Sequence, residues 1–358
     1  MTKQGKSSSS EPPADIVRDD IFIEHRTDRH HPESPERLVR IYGMLDGWSP
    51  AKDILEVPTR KAEREELERI HTSHHIDTVA NTANMESFHL DGDTPTSPRS
   101  YEAALVAAGS SIELVDYVLD GKISSGFALV RPPGHHAESD RAMGFCLFNN
   151  IAVAAAHARD AHDLERILIV DWDLHHGNGT QHSFYGDKKV LYSSTHQYPY
   201  YPGTGHYQET GQGEGQGYTV NFPLPPGQGD DEYLAIFQEI IEPLAARYKP
   251  QLVLVSAGYD TYIDDPLGHM NVTTDGYGKL TAVLKRIAQA HCNGKLVFFL
   301  EGGYNIDGLV QGVRRVLEVS MGKVDPDIPD TATGLDQRFI GYLDMIKETL
   351  RPYWDSLQ

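Results

Sequence analysis

The chain has 358 residues, 39% hydrophobic and 23% charged, enough apolar material for a large buried core and not the composition of a disordered or fibrous polymer. A formal net charge of −20 argues against a nucleic-acid binder, because phosphate affinity rests on lysine and arginine, and it suits cationic partners such as lysine-rich tails or polyamines, with simple solubility as the plainer use of the acids. Two cysteines imply no disulfide framework, no apolar run is long enough to span a membrane, and residues 1–15 lack the hydrophobic centre of a signal peptide, so a cytoplasmic location is expected.

In chain order, residues 1–16 are polar, with Ser7 to Ser10 and Pro12-Pro13, and read as a disordered arm. Ile21-Phe22-Ile23 is the first strand candidate. His30-His31-Pro32-Glu33-Ser34-Pro35-Glu36-Arg37 leads into a helix carrying Leu38, Ile41 and Leu45. A longer helix starts near Ser100, places Ile112, Val115 and Leu119 on one face and stops at Gly121. Further helices are expected at 150–160, 231–248, 275–291 and 335–350, with Pro243 kinking or restarting the second. Strands are expected near 125–130, 166–171, 189–194, 251–256 and 295–300. Their apolar runs are continuous, not alternating, as in a parallel sheet covered on both faces. The glycine-rich stretch 203–217 is a long loop, because strand-like Tyr218-Thr219-Val220-Asn221-Phe222 resumes after it. There is no internal repeat.

The chemistry concentrates where these strands end. Asp171-Trp172-Asp173-Leu174-His175-His176-Gly177-Asn178-Gly179 follows Ile167-Leu168-Ile169-Val170, and the two-residue repeat of a strand turns Asp171, Asp173 and His175 to one side. Two carboxylates and an imidazole at a buried strand end need a cation or a full set of hydrogen bonds. A capping turn with solvated histidines is the simpler use of one such segment, but four others accompany it. Arg131-Pro132-Pro133-Gly134-His135-His136-Ala137, Gly144-Phe145-Cys146-Leu147-Phe148-Asn149-Asn150, Ser256-Ala257-Gly258-Tyr259-Asp260 and Glu301-Gly302-Gly303-Tyr304-Asn305 also carry glycine, acid, imidazole or phenol. Most follow strands, where open parallel sheets place their ligands.

In order and type these segments resemble the histone deacetylase superfamily, of the arginase-deacetylase fold, from about His30 to Tyr304. Asp171-Trp172-Asp173, Asn178 and Glu301-Gly302-Gly303-Tyr304 resemble the class II and bacterial deacetylase-like branch more than class I. The resemblance implies one α/β domain over residues 17–358, a three-layer α/β/α arrangement around a mainly parallel sheet, and a metal-dependent amidohydrolase.

It further implies a zinc site at Asp173, His175 and Asp260 with open positions for water and substrate; this hard ligand set also suits iron(II). His136 would act as general base with His135 as its partner, backed by Asn178 and Asp171 respectively. Asn178 stands where class I members carry aspartate; an amide orients an imidazole without balancing its charge, so a neutral resting His136 is expected. Tyr304 would donate to the developing oxyanion. Substrate contacts are expected from Asp93, Gly144, Phe145, Tyr201, Leu267 and Gly303, although aromatic packing accounts as well for Phe145 and Tyr201, and turn capping for Asp93. Arg37 matches an internal channel residue, with a surface salt bridge as its ordinary alternative, and Cys146 is expected to be packed near the site. A structural potassium ion would use Asp171, Asp173, His175, Ser194 and Thr195, and an outer one Phe184, Asp187, Val190 and Tyr218.

Both an acylated lysine peptide or protein and an acetylated polyamine fit a narrow tunnel, and Leu267 at its rim favours acyl-lysine, while Asp264 and Asp265 nearby suit a cationic amine. No direct nucleic-acid or membrane contact is expected, and the resemblance implies a homo-oligomer. A two-manganese ureohydrolase would need a further acid where Gly177 stands, and a non-catalytic acyl-binding module would not need two histidines and Tyr304.

Overall fold

The computed structural model describes residues 14–329 and 334–357. In chain order its strands are β1 (Ala14–Val17), β2 (Phe88–His89), β3 (Pro95–Thr96), β4 (Ser125–Ala128), β5 (Ile167–Asp171), β6 (Val190–Gln197), β7 (Thr219–Leu224), β8 (Leu252–Ala257) and β9 (Leu296–Leu300). Seven form one sheet in the order β1-β4-β9-β8-β5-β6-β7, and every neighbouring pair is parallel. The continuous apolar runs are the cause: each residue of β5, β8 and β9 is buried, as a sheet covered on both faces requires. The helix Ser100–Leu119 packs on Asn150–His162, the helix Thr274–Cys292 packs on Ile306–Ser320, and Ser100–Leu119 and Thr274–Cys292 both touch β9 without forming a pair. The architecture is the expected three-layer α/β/α. Burying a branched or aromatic side chain contributes about 1.5–3 kcal/mol, which makes these strands a firm rack for the polar groups at their ends.

Because all seven strands run the same way, their carboxyl ends share one edge. The chain passes from β4 to β5 across a gap that β8 and β9 fill later, and this change in strand order opens a crevice there. The segments following β4, β5, β8 and β9 therefore converge. The small antiparallel pair β2 and β3 carries Asp93 in its connection.

Several expectations need correction. Residues 1–13 of the expected arm lie outside the described residues, while 14–16 belong to the edge strand β1, paired with β4 in register Ala14↔Ser125 to Val17↔Ala128. Ile21-Phe22-Ile23 is not a strand: Asp19 accepts the Ile21 N–H at 2.9 Å and caps a 3-10 turn over Asp20–Phe22. Residues 230–248 are helical throughout, but Phe237–Ile241 widens into a π-turn just ahead of Pro243, which has no N–H for the regular ladder. The helices Ser73–Ala80, Asn178–Phe184 and Ile306–Ser320 are additional to those expected from sequence. Among the described residues no helix is long and apolar enough to cross a membrane.

Candidate active site

Asp173 and His175 follow β5 and Asp260 follows β8, its pairing neighbour, and one ligand atom from each lies within 4.8 Å of the other two. His175 Nδ1 is 3.0 Å from Asp260 Oδ2 and 3.2 Å from Asp173 Oδ1. Backbone N–H groups fix the carboxylates: Gly302 donates to Asp173 Oδ2 at 2.8 Å, His175 to Asp173 Oδ1 at 2.9 Å and Leu174 to Asp260 Oδ1 at 2.9 Å. Such close approach requires glycine. A Cβ on Gly258 would stand 2.0 Å from Asp173 Oδ2, and one on Gly302 2.3 Å from Asp260 Oδ2. Burial and the neighbouring Asp173 charge push Asp260 up to about 7. Two sequestered carboxylates facing one ring nitrogen carry more negative charge than their protein partners balance. That donor set fits a divalent cation with open coordination positions.

Beyond β4, His135 and His136 lie with ring centroids 4.0 Å apart. Glu301, at the end of β9, grips their loop: its Oε2 accepts from Gly134 N at 2.7 Å and His135 N at 3.1 Å, and its Oε1 from Ser256 Oγ at 3.1 Å. His135 Nδ1 lies 3.0 Å from Asp171 Oδ2, which also accepts from Tyr192 OH at 3.1 Å. His136 Nδ1 lies 2.8 Å from Asn178 Oδ1. The two rings are equally enclosed but differ in charge environment. Burial opposes a proton on His135, yet Asp173, Asp171 and Glu301 outweigh it and push its pKa up to about 10. Burial, His135 and His175 together hold His136 well below 6.5, in keeping with the expected neutral ring. This clamp is not among the roles expected from sequence; the position of Glu301 at the close of an apolar strand is the signal that points to it.

These groups open into a cavity of about 300 Å³ lined by His135, His136, His175, Tyr304, Asp93, Gly144, Phe145, Tyr201 and Leu267, with Pro133, Tyr200 and Gly302 unforeseen from sequence. Phe145 stands edge-on to Tyr304 at 5.9 Å and to His31 at 4.6 Å. It does so at φ 70°, a left-handed conformation costly for a large side chain, which favours a binding wall over indifferent packing. Tyr201 stands edge-on to His136 at 5.1 Å. Burial keeps the Tyr304 phenol well above its ordinary pKa, hence a proton donor. Asp91, not Asp93, caps the rim turn, accepting from Asp93 N at 3.0 Å. Cys146 is buried with its thiol 3.3 Å from the Gly144 carbonyl.

Gly303, expected to contact substrate, is not among the lining residues: the glycines there are Gly144 and Gly302, and the Gly303 carbonyl accepts from Arg37 Nε at 2.8 Å. Arg37 itself is fully buried, with its guanidinium 5.3 Å from the Tyr304 ring centre, so the surface salt bridge is excluded. Asp265 is also spent: Oδ2 accepts from Tyr304 N at 2.7 Å and Asn305 N at 2.9 Å, and Oδ1 from Leu267 N at 2.9 Å.

Among the groups expected around a potassium ion, pairing of β5 with β6 sets Asp171 opposite Ser194, and Thr195 Oγ1 reaches the Asp171 carbonyl at 3.4 Å. Ser194 Oγ is shared with His196 Nδ1 at 3.0 Å. At the outer position the Asp187 carboxylate is occupied by Arg159 and by Lys189 N. A second cluster, Asp116, His157 and His162, resembles a ligand set in spacing, but both imidazoles direct Nε2 to one Asp116 oxygen at 2.8 Å. Arg69 lies 3.2 Å from His157 Nδ1, a cation beside the would-be site, so the cluster is a half-buried hydrogen-bond network.

The sequence matches the Histone deacetylase domain over residues 31–320. It is 37% identical over 354 residues to Histone deacetylase HDA1 of Saccharomyces cerevisiae, covering 92% of this chain and 50% of that protein. It is 37% identical over 338 residues to Polyamine deacetylase HDAC10 of Homo sapiens, covering 91% of this chain and again 50% of that protein. The chain thus spans about half the length of these two relatives. The crystal structure of the HDA15 HD domain aligns with a TM-score of 0.89 at 37% identity, over 98% of this chain and 97% of that one. With its domain matched across most of its length and the same fold in a relative, the chain belongs to the histone deacetylase family.

Proposed function

We propose that the chain is a metal-dependent deacetylase that hydrolyses the amide of Nε-acyl-lysine side chains. The observation that carries this reading is the meeting of three metal-type ligands, a histidine pair and a protonated phenol around one narrow cavity. Asp173, His175 and Asp260 would hold zinc, with iron(II) suited to the same ligands. A divalent ion there supplies Lewis acidity to the amide carbonyl and acidifies water. His136, neutral and hydrogen-bonded through Nδ1, offers Nε2 to take a proton from the attacking water. His135, with its Nδ1 against Asp171, is placed to return a proton to the leaving amine. Tyr304 donates its hydroxyl to the oxygen that becomes negative. Phe145 and Tyr201 form the walls against which the acyl-lysine methylenes would lie, with the Asp93 carboxylate at the rim. Asp171, Asp173, His175, Ser194 and Thr195 would hold a potassium ion behind the catalytic metal.

Acetylpolyamine is the second reading, favoured by the likeness to a relative named a polyamine deacetylase. Acyl-lysine ranks first because Leu267 lines the cavity and both Asp265 oxygens are engaged by backbone N–H groups instead of a distal amine. Purified protein should be assayed on acyl-lysine peptides and acetylputrescine, with metal content measured on the same sample. Hydrolysis of lysine substrates with one divalent ion per chain is expected. Much faster cleavage of acetylputrescine would reverse the ranking, and inactivity on every acyl amine would sink the enzyme.

A further inference from the structure

Asn178 poses a problem that the hydrolase reading leaves open. An amide has an oxygen and an NH2 group of nearly the same shape, and which of them meets His136 Nδ1 decides the ring's tautomer. If NH2 faced Nδ1, the ring proton would move to Nε2 and the base would be lost. We propose that Glu138 is the positioning residue that makes this choice: as an ionised carboxylate packed against Asn178, it forces the amide to present oxygen to His136 and so keeps Nε2 free.

Asn178 Nδ2 donates to Glu138 Oε1 at 2.5 Å. A carboxylate has no hydrogen to give, so only the NH2 end of Asn178 can face it; the flipped amide would set two acceptors at that separation. The remaining Nδ2 contacts, 3.3 Å to the His136 carbonyl and 3.5 Å to Met143 Sδ, are likewise to acceptors. Asn178 Oδ1 is thereby left to His136 Nδ1 at 2.8 Å, which must carry the hydrogen.

Glu138 is itself held in place. It is only 6% exposed, its backbone N–H bonds the Arg141 carbonyl at 3.0 Å and its carbonyl meets His71 Nδ1 at 2.9 Å. His182 Nδ1 lies 2.8 and 3.0 Å from its two oxygens, and Arg141 is 3.9 Å away. Burial works against ionisation, but the bonds from His182 and Asn178 overcome it and keep the carboxyl below its ordinary value. His182, with a half-exposed side chain, stands at the solvent end of a chain that runs His136, Asn178, Glu138, His182. The negative charge that Asn178 lacks is thus present one residue further back, where it polarises the amide without meeting the ring.

The kinetic half of the test rests on the hydrolase reading; the spectroscopic half does not. Glu138→Gln is isosteric, but glutamine both donates and accepts, so either orientation of Asn178 becomes permissible. Imidazole nitrogen-15 NMR should show His136 as the Nδ1–H tautomer in the unmodified protein and a mixture in Glu138→Gln. On the acyl-lysine substrate, kcat should fall about 10-fold or more, a fraction of what a general base contributes, with KM within about 2-fold. Asn178→Asp alone places two carboxylates together and should also lose activity. The double variant, Glu138→Gln with Asn178→Asp, moves the acceptor-only group next to His136, with the introduced glutamine amide now donating to it, and should recover kcat to within about 3-fold of the unmodified enzyme. Recovery by the pair would exclude a folding defect. An unchanged tautomer and kcat in Glu138→Gln, or a double variant no better than its worse parent, overturns the proposal. A protein without hydrolysis but with the expected tautomer shift would retire the hydrolase reading alone.

Discussion

The cluster of Glu33, Arg37 and Arg131 and that of Asp173, His175 and Asp260 both lie in the interior at the carboxyl edge of the sheet, yet they are completed in opposite ways. Glu33 meets Arg37 and Arg131, and other N–H groups of the two guanidiniums reach the carbonyls of Phe22 at 2.9 Å, Gly303 at 2.8 Å and Glu301 at 2.5 Å. All three side chains are fully buried and satisfied by protein alone. In the second cluster, backbone N–H groups fix the carboxylates while Asp260 Oδ2 and Asp173 Oδ1 still face the same ring nitrogen. A closed set of charges is a scaffold, because a cation added to it would displace something. An open set has room for a cation, and this one is aimed by its closed neighbour, since Arg37 ties down the Glu301 and Gly303 carbonyls on either side of Gly302.

The contrast breaks most sharply in the open cluster. Asp260→Asn removes one of two carboxylates and, under the proposed metal-dependent mechanism, should lower hydrolysis at least about 1000-fold, with loss of divalent metal by elemental analysis and little change in unfolding midpoint. Full metal content in that variant would mean Asp260 is not a ligand. Glu33→Gln in the closed cluster should do the reverse. It leaves two buried guanidinium groups without their carboxylate and should cost about 3–5 kcal/mol in urea unfolding; a loss below about 1 kcal/mol would show that Glu33 is no keystone. Tyr304→Phe touches neither set of charges. It should reduce kcat about 100-fold to 1000-fold while metal content and stability stay unchanged, and undiminished turnover would remove the phenol from the mechanism.

How far these clusters can be read from sequence follows from what determines each. β5, β8 and β9 are legible because their runs are apolar up to Asp171 and Ser256 and throughout β9; β5 ends at Asp171, so Asp173 and His175 reach the crevice from the loop beyond the strand and not by its periodicity. The helix Ile306–Ser320 is obscured by Gly308 and Gly312, poor helix formers kept because a Cβ at either would stand 2.4 Å from Tyr262 or Tyr259. β1 is masked by its short polar setting, since it gains its place from β4 and from backbone bonds to Leu55 and Val57. Glu138, Pro133 and Tyr200 carry no periodic signal at all. Their importance lies in what folds against them, which a linear pattern does not encode. Gly302 and Gly303 likewise look alike in sequence, and only the fold sets Gly302 in the cavity wall and the Gly303 carbonyl against Arg37.

Two buried imidazoles sharpen the comparison further, with the smallest expected effect. His135, among carboxylates, has its pKa pushed up to about 10, whereas burial lowers His71 to about 3, with His75 adding to the shift. The bonds of His71 require neutrality: Nδ1–H donates to the Glu138 carbonyl at 2.9 Å, and Nε2 accepts from Asn149 N at 2.9 Å, so a second ring hydrogen would confront a donor. The sign follows from where protons bind. Unfolded chains take up a proton near pH 6.5 that the folded state refuses until about pH 3, so the contribution of His71 is complete above pH 6.5 and is lost as pH falls through that window. The loss amounts to at most about 1.4 kcal/mol per pH unit for one such group. His71→Gln, whose amide can donate to the same carbonyl, should be less stable at pH 7.5 yet lose less on acidification, narrowing its gap to the unmodified protein between pH 6.5 and 5.5. Parallel stability curves over that interval would show that the acid sensitivity arises elsewhere, with His25, lowered to about 3 by burial and by Arg131 against the opposing pull of Glu33, as the next group to replace.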